Sequence, residues 1–131
     1  MSAVDTSALI AILRQEPDAS FFASRLGNAS RCLISAVSHL EASVVLAGRS
    51  HGAVAWNGLD ALLRNENIEI DPHDQALATL ARQAFLRFGK GRHRAALNLG
   101  DCAAYALAKA RNIPLLFKGN DFAATDIIPV I

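Results

Sequence analysis

Apolar residues fall along this chain in two rhythms. Nearly solid short runs, Ala3-Val4, Cys32-Leu33-Ile34-Ser35 and Pro114-Leu115-Leu116-Phe117, have the length and composition of buried strands, and Ile68-Glu69-Ile70 reads as a further short strand. Between them the apolar positions recur at helical spacing. Ala8 to Arg14 reads as a helix, and Pro17 opens another that runs to about Leu26, where Gly27-Asn28 is a stop signal. A helix starts at Ser38, read as its N-cap, and Gly52 to Arg64 forms one more, packed against it as a hairpin. His73 to Phe88 is the clearest case, with Ala76, Leu77, Leu80, Ala81, Ala84 and Phe85 on one face. Asp101 to Arg111 is an alanine-rich helix able to pack closely, and Ile127 to Ile131 reads as an edge strand, where Pro129 is tolerable. Strands alternating with helices predict parallel β/α units: a three-layer α/β/α sandwich around a central, mainly parallel sheet of about 4–5 strands, in one domain over residues 1–131.

Composition narrows this picture. A chain of 131 residues that is 52% hydrophobic and 19% charged can bury one sizeable core and is too apolar to be intrinsically disordered. It contains no apolar run of membrane-spanning length and no basic segment ahead of an apolar stretch at its start, so neither a membrane association nor a secretory signal is expected. Cys32 and Cys102 are isolated, lack zinc-site spacing and read as small core residues, which fits a reducing cytoplasm. A net charge of +1 gives no global attraction to nucleic acid, so any such attraction must come from a local patch.

Four acids carry the candidate chemistry: Asp5, Glu41, Asp101 and Asp121. Each falls where a strand gives way to a turn or helix, and ligands of open α/β sheets bind beyond the carboxyl ends of the strands. Each also has a plain structural account. Asp5 and Asp101 are placed to cap the helices that follow them, Ser38-x-x-Glu41 has the form of a capping box, and Asp121 suits a turn. Taken together they are acids from separate junctions able to meet in one cleft. Clustered carboxylates resist joint ionisation, and a hard divalent cation is the usual remedy. The pattern points to a metal-dependent enzyme acting on a phosphate ester. Asp126, close to Asp121 in sequence, rivals it for the fourth position, whereas Asp60, Glu66, Glu69 and Asp74 read as solvated charges.

The glycine-bounded stretch from Gly89 to Gly100 carries Lys90, Arg92 and Arg94, either as a solvated loop or as a phosphate-contacting lip, and Lys118 directly follows the fourth strand, where it could also reach a phosphate. Thr6, Ser7, Asn98 and Asn120 flank the acids and can orient them or a water by hydrogen bonding. His39, His51, His73 and His93 are scattered without ligand spacing, and none is read as a metal ligand.

The segments Val4-Asp5-Thr6-Ser7-Ala8, Glu41, Leu99-Gly100-Asp101 and Asn120-Asp121-Phe122, in this order, resemble the PIN domain. The stretch Gly89-Lys90-Gly91-Arg92-His93-Arg94, then Asn98 to Cys102, Tyr105 to Ala108 and Pro114 to Gly119, is similar to the VapC toxins of bacterial VapBC toxin–antitoxin pairs. The resemblance implies a metal-dependent endoribonuclease, with Asp5 and Asp101 matching the metal ligands, Glu41 the third acid and Asp121 the fourth, and with Mg²⁺ or Mn²⁺ as cofactor. It implies RNA as substrate, a VapB-type antitoxin as partner and a homodimer, for which the apolar helices between Val37 and Leu63 offer a face. Two other functions fit parts of the sequence: a non-catalytic interaction domain of the same fold, and a phospho-receiver module in which Asp71 would be the modified acid.

Overall fold

A computed structural model of the chain describes residues 1–48 and 52–131. His51 therefore lies outside the described residues. In chain order the elements are β1 (Ser2–Val4), α1 (Thr6–Leu13), α2 (Ala19–Asn28), β2 (Cys32–Ser35), α3 (Ala36–Ala47), a 3₁₀ turn (Gly52–Trp56), α4 (Asn57–Asn65), β3 (Ile68–Asp71), α5 (Gln75–Phe88), α6 (Leu99–Arg111), β4 (Leu115–Leu116) and a second 3₁₀ turn (Phe122–Ala124). The four strands form one sheet in the order β3-β2-β1-β4, and every pair is parallel.

Side-chain alternation along the strands builds the three layers. Ala3, Leu33 and Leu115 point to the face covered by α5 and α6, where they meet Phe88, Leu97, Tyr105 and Leu107. Val4, Ile34 and Leu116 point to the opposite face, against Leu9 and Phe22 from α1 and α2 and Leu59 from α4. Both faces are buried, as parallel sheets require. Helix α3 follows β2 and packs against both α1 and α6. The chain winds from β1 outward to β3, then returns to place β4 on the other side of β1. The order reverses there, so the carboxyl ends of β1 and β4 flank a topological switch point, the usual position of a ligand cleft in such sheets.

Three local expectations are corrected. Helix α3 begins three residues earlier than the capping-box pattern indicates: Ser35 is its N-cap, accepting from the Val37 N–H at 3.2 Å, and Ser38 lies inside the helix, fully buried. A serine at the end of a strand can cap the next helix directly, so the pattern at Ser38 and Glu41 was fortuitous. Gly52 to Arg64 is not one helix but a 3₁₀ turn followed by α4. Ile127 to Ile131 forms no strand. A single bridge joins Leu115 to Pro129, with the Leu115 N–H donating to Ile128 O at 2.9 Å and the Val130 N–H to Leu115 O at 3.1 Å; toward the start of β4 the ladder goes no further because the Ile113 N–H is taken by Ala108 O at the end of α6.

The Ser35 and Ser38 assignments can be tested together. Ser35→Ala should cost about 0.5–2 kcal/mol in urea denaturation through loss of the cap. Ser38 Oγ is buried with no hydrogen-bond partner, so Ser38→Ala should be neutral or stabilising. A capping box at Ser38 would give the reverse ranking.

Candidate active site

Asp5 leaves the end of β1 in extended conformation and caps α1. Its Oδ2 accepts the Ser7 N–H at 3.1 Å and the Ser7 hydroxyl at 2.6 Å, and Ser7 Oγ in turn accepts the Lys118 N–H at 2.9 Å. That relay ties β1 to the residue after β4 and fixes the carboxylate plane. The other oxygen, Oδ1, is buried without a partner. Asp5 is only 4% exposed. Burial pushes its carboxyl up to about 6, the Ser7 bonds pull against that shift, and the charges of Asp101 and Glu41 add to it.

Asp101 stands at the third position of α6. Asn98 is the N-cap: its Oδ1 accepts the Asp101 N–H at 2.9 Å, and Asp101 Oδ2 accepts the Asn98 N–H at 3.0 Å. Asp101 therefore completes a capping box rather than capping the helix itself, and α6 starts two residues before the position read from sequence. Its carboxyl is raised above the usual range, first by burial and then by Asp121 and Glu41, against the pull of the Asn98 bond. Glu41 rises from the middle of α3 and lays its carboxylate against Gly100. A Cβ at Gly100 would overlap those oxygens, so glycine there lets the Glu41 carboxylate lie against the first turn of α6, and a larger residue would push it aside.

Asp5, Glu41 and Asp101 line one cleft of about 350 Å³ together with Thr6, Ser7, Ile10, Glu16, Val45 and Lys118. Asp121, in the turn after β4, does not line this cleft, but its charge acts on Asp101. Asp126 does not: it accepts the Tyr105 hydroxyl at 2.6 Å and pairs with Lys109 at 3.0 Å on the flank of α6. Thr6 lines the cleft, but its hydroxyl donates to the Ser38 carbonyl oxygen at 3.0 Å rather than to Asp5. Asn120 is exposed in the turn beside Asp121. Lys118 enters the cleft with its ammonium engaged by Glu16 at 2.7 Å and Asp18 at 3.1 Å. Glu16 was not read as a site residue; its partner lies 102 positions away in sequence, beyond any local signal.

Lys90, Arg92 and Arg94 are exposed and stand outside the cleft wall. Their loop is nonetheless a closed structure. Lys90 N–H donates to Leu97 O and Leu97 N–H to Phe88 O, each at 3.0 Å, and Ala95 N–H donates to His93 Nδ1 at 3.0 Å. The His93 ring packs edge-on against Phe88, with centroids 5.1 Å apart. Asp71 ends the edge strand β3 and pairs with Arg111 at 2.7 Å, away from the acid cluster.

All the acids in the cleft offer oxygen, the donor a hard divalent cation prefers, and the orphaned Asp5 Oδ1 is a ligand atom without a partner. Among the described residues no group of three or more His, Cys, Asp or Glu is gathered tightly enough to enclose an ion by itself. Such an open donor set suits Mg²⁺, which keeps several of its waters. The cleft thus fits a partly hydrated divalent ion better than an all-protein cage.

The raised Asp5 carboxyl makes a stability prediction. The folded, metal-free chain holds a proton on Asp5 more tightly than the unfolded chain does, so this contribution is present below about pH 4 and is lost as pH rises through about 6. Asp5→Asn removes the buried charge and keeps an acceptor for Ser7. In EDTA at pH 7.5 the variant should be more stable than wild type by about 1–3 kcal/mol, and the difference should vanish near pH 4. Thermal melts at the two pH values check this; a destabilised variant at pH 7.5 would contradict it.

Comparison with known proteins shows the family and the fold. A PIN domain family model matches residues 3–128. The chain is 46% identical over 125 residues to Ribonuclease VapC28 of Mycobacterium tuberculosis, covering 95% of this chain and 93% of that protein. It is 43% identical over 127 residues to Ribonuclease VapC of Mycolicibacterium smegmatis, covering 97% and 98% respectively. In fold it is similar to M. tuberculosis VapC20, described as a sarcin-ricin loop cleaving toxin, with a TM-score of 0.78 at 16% identity over 99% of this chain and 98% of the other. VapBC2 from Rickettsia felis, bound to a DNA fragment from its promoter, gives 0.75 at 14% identity over 98% and 96%. With a family model spanning nearly its whole length and relatives this similar, the chain belongs to the PIN-domain family, among the VapC ribonucleases.

Proposed function

We propose that this chain is the ribonuclease toxin of a type II toxin–antitoxin pair, hydrolysing RNA phosphodiester bonds with Mg²⁺ or Mn²⁺. The reading rests on one observation above the others: a buried carboxylate, Asp5, with one oxygen fixed by Ser7 and the other left unpartnered in a cleft of like charge. A purely capping aspartate has no need of burial beside Glu41 and Asp101. The relatives named ribonucleases supply the substrate class.

In this reading Asp5 and Asp101 would hold the ion, directly or through water. Ser7 occupies Asp5 Oδ2 and leaves Oδ1 free, and the Asn98 N–H occupies Asp101 Oδ2 in the same way. Glu41 and Asp121 complete the negative charge that a dication balances. When bound, the ion supplies Lewis acidity at the phosphoryl oxygen and lowers the pKa of an attacking water. Water adds across the P–O3′ bond, leaving a 5′-phosphate and a 3′-hydroxyl. No 2′-hydroxyl takes part, so preference for RNA arises from how the strand is held.

Lys90, Arg92 and Arg94 are the proposed grip on the strand, on a loop whose internal bonds hold its shape. Lys118 is the cation nearest the acids, shared with Glu16 and Asp18. A VapB-type antitoxin is the proposed protein partner and covers the cleft. A second copy of the chain is the other. Leu40, Val44 and Leu99 stand 63%, 62% and 78% exposed around one hollow between α3 and α6, an apolar face of the kind that self-association covers. The cytoplasm is the proposed compartment, where the free thiols of Cys32 and Cys102 persist. No helix among the described residues is long and apolar enough to cross a membrane.

Purified protein should cleave a mixed small-RNA pool with Mg²⁺ or Mn²⁺ and stop when EDTA is added. Asp5→Asn should lower the rate by more than about a hundredfold, beyond the loss typical of residues that merely support a ligand. Cleavage by Asp5→Asn at the wild-type rate would refute the assignment. Arg92→Ala should weaken RNA binding across sequences and reduce the slope of log K against log salt by about 0.7, one single-strand phosphate contact. An unchanged slope would remove Arg92 from the interface.

A further inference from the structure

Helix α6 carries Asp101, Tyr105 and Lys109 at successive i, i+4 positions, a row along one face. This row meets the segment that follows β4. Asp101 faces the like charge of Asp121. One turn further on the contacts become attractive. The Tyr105 hydroxyl donates to Asp126 Oδ1 at 2.6 Å, and Lys109 Nζ lies 3.0 Å from Asp126 Oδ2 and 3.4 Å from its carbonyl oxygen. Arg87 of α5 adds a longer contact at 3.5 Å. Burial alone would raise the Asp126 carboxyl, but Tyr105, Lys109 and Arg87 outweigh it and hold the group below the usual range.

The chain between Asp121 and Asp126 is short and internally braced. Phe122 is buried against Phe117, with ring centroids 5.2 Å apart. Thr125 Oγ1 donates to the Phe122 carbonyl oxygen at 2.7 Å and accepts the Ile127 N–H at 3.1 Å. These contacts make a braced turn that links Asp126 to Asp121 over five residues. Asp121 itself is exposed, in a turn made by Gly119 with φ +103°, and nothing in its own hydrogen bonding opposes repulsion by Asp101.

We infer that Tyr105 and Lys109, acting through Asp126, hold Asp121 beside Asp101 against their mutual repulsion, so that the divalent-cation site is formed before the cation arrives. Tyr105 and Asp126 are positioning residues and touch neither ion nor RNA. The inference rests on the metal-dependent reading of the cleft given above. It also gives Asp126 a role distinct from that of a fourth acid: its charge is spent on the clamp.

The test is Mn²⁺ binding by the metal-free chain without RNA, followed by the electron paramagnetic resonance signal of free Mn²⁺. Wild type, Tyr105→Phe and Asp126→Asn are compared, each with and without Asp121→Asn. Tyr105→Phe keeps the ring that packs against Phe88 and removes only the hydroxyl. Both clamp variants should bind Mn²⁺ about tenfold more weakly, as loss of a ligand-orienting group commonly does. In cleavage, the Mn²⁺ concentration for half-maximal rate should rise by the same factor, with the rate at saturating Mn²⁺ largely restored. In the Asp121→Asn background, Tyr105→Phe should cause no further loss. Unchanged Mn²⁺ affinity in both clamp variants, with only a lowered melting temperature, would overturn the inference and leave Asp126 as an anchor of the C-terminal segment. An equal loss in the Asp121→Asn background would overturn the route through Asp121. Absence of Mn²⁺ binding by wild type would instead overturn the metal reading, and the clamp with it, before any variant is compared.

Discussion

Bringing like charges together is the constraint on which this structure turns. Asp5 sits at the end of a central strand, almost wholly buried, with Glu41 and Asp101 in the same cleft and Asp121 at its edge. Water cannot screen Asp5, and its neighbours raise the cost of ionising it. The fold offsets part of that cost locally. Asp5 caps α1 and Asp101 occupies the first turn of α6, positions where free N–H groups and the helix dipole favour an anion. What remains unsatisfied is concentrated on one atom, Asp5 Oδ1. Every other oxygen of this pair of acids is fixed or left to solvent, and under the proposed reading the stranded one is the atom that would meet a cation.

Helix α6 joins the core to the site. Ala103, Ala104, Ala106 and Ala108 are buried, so the helix lies close to the sheet, and Gly100 admits the Glu41 carboxylate against its first turn. The same helix contributes Asp101 to the cleft and Leu107 to the core. Close packing leaves little freedom to tilt. The position of Asp101 is therefore set by the hydrophobic layer beneath it as much as by its capping box.

Most of the architecture was legible because its signals are local. Cys32–Ser35 is a strand over the range read from its solid apolar run, and α5 ends at Phe88 as the helical spacing indicates. Asp5, Asp101 and Asp121 do stand at element starts, as read, whereas Glu41 lies in the middle of α3 and not at a boundary. What escaped was decided by tertiary contact or by competition between equivalent caps. Ser35 and Ser38 are both plausible caps in sequence, and burial of Ser38 between α1 and α3 settles the choice. Asn98 and Asp101 share one capping box, and the sequence alone does not divide their roles. Glu16 lines the cleft through an ion pair with Lys118, and Asp126 faces Tyr105 and Lys109, contacts set by distant parts of the chain.

Charge is divided across the molecule in a way that bears on substrate binding. The cleft carries Asp5, Glu16, Glu41 and Asp101 against Lys118 alone, and that ammonium already contacts two acids. Without a cation such a cleft repels a phosphodiester. Exposed positive charge outside the cleft wall includes the Lys90–Arg94 loop, held by its own hydrogen bonds. Under the proposed reading the strand is gripped at one place and cut at another, and only a bound dication makes the second place attractive to phosphate. Cation and RNA then favour each other's binding, because linkage is reciprocal. In that reading the ion would serve affinity as well as chemistry, and the carboxylates that repel RNA in the empty cleft would be what retains it.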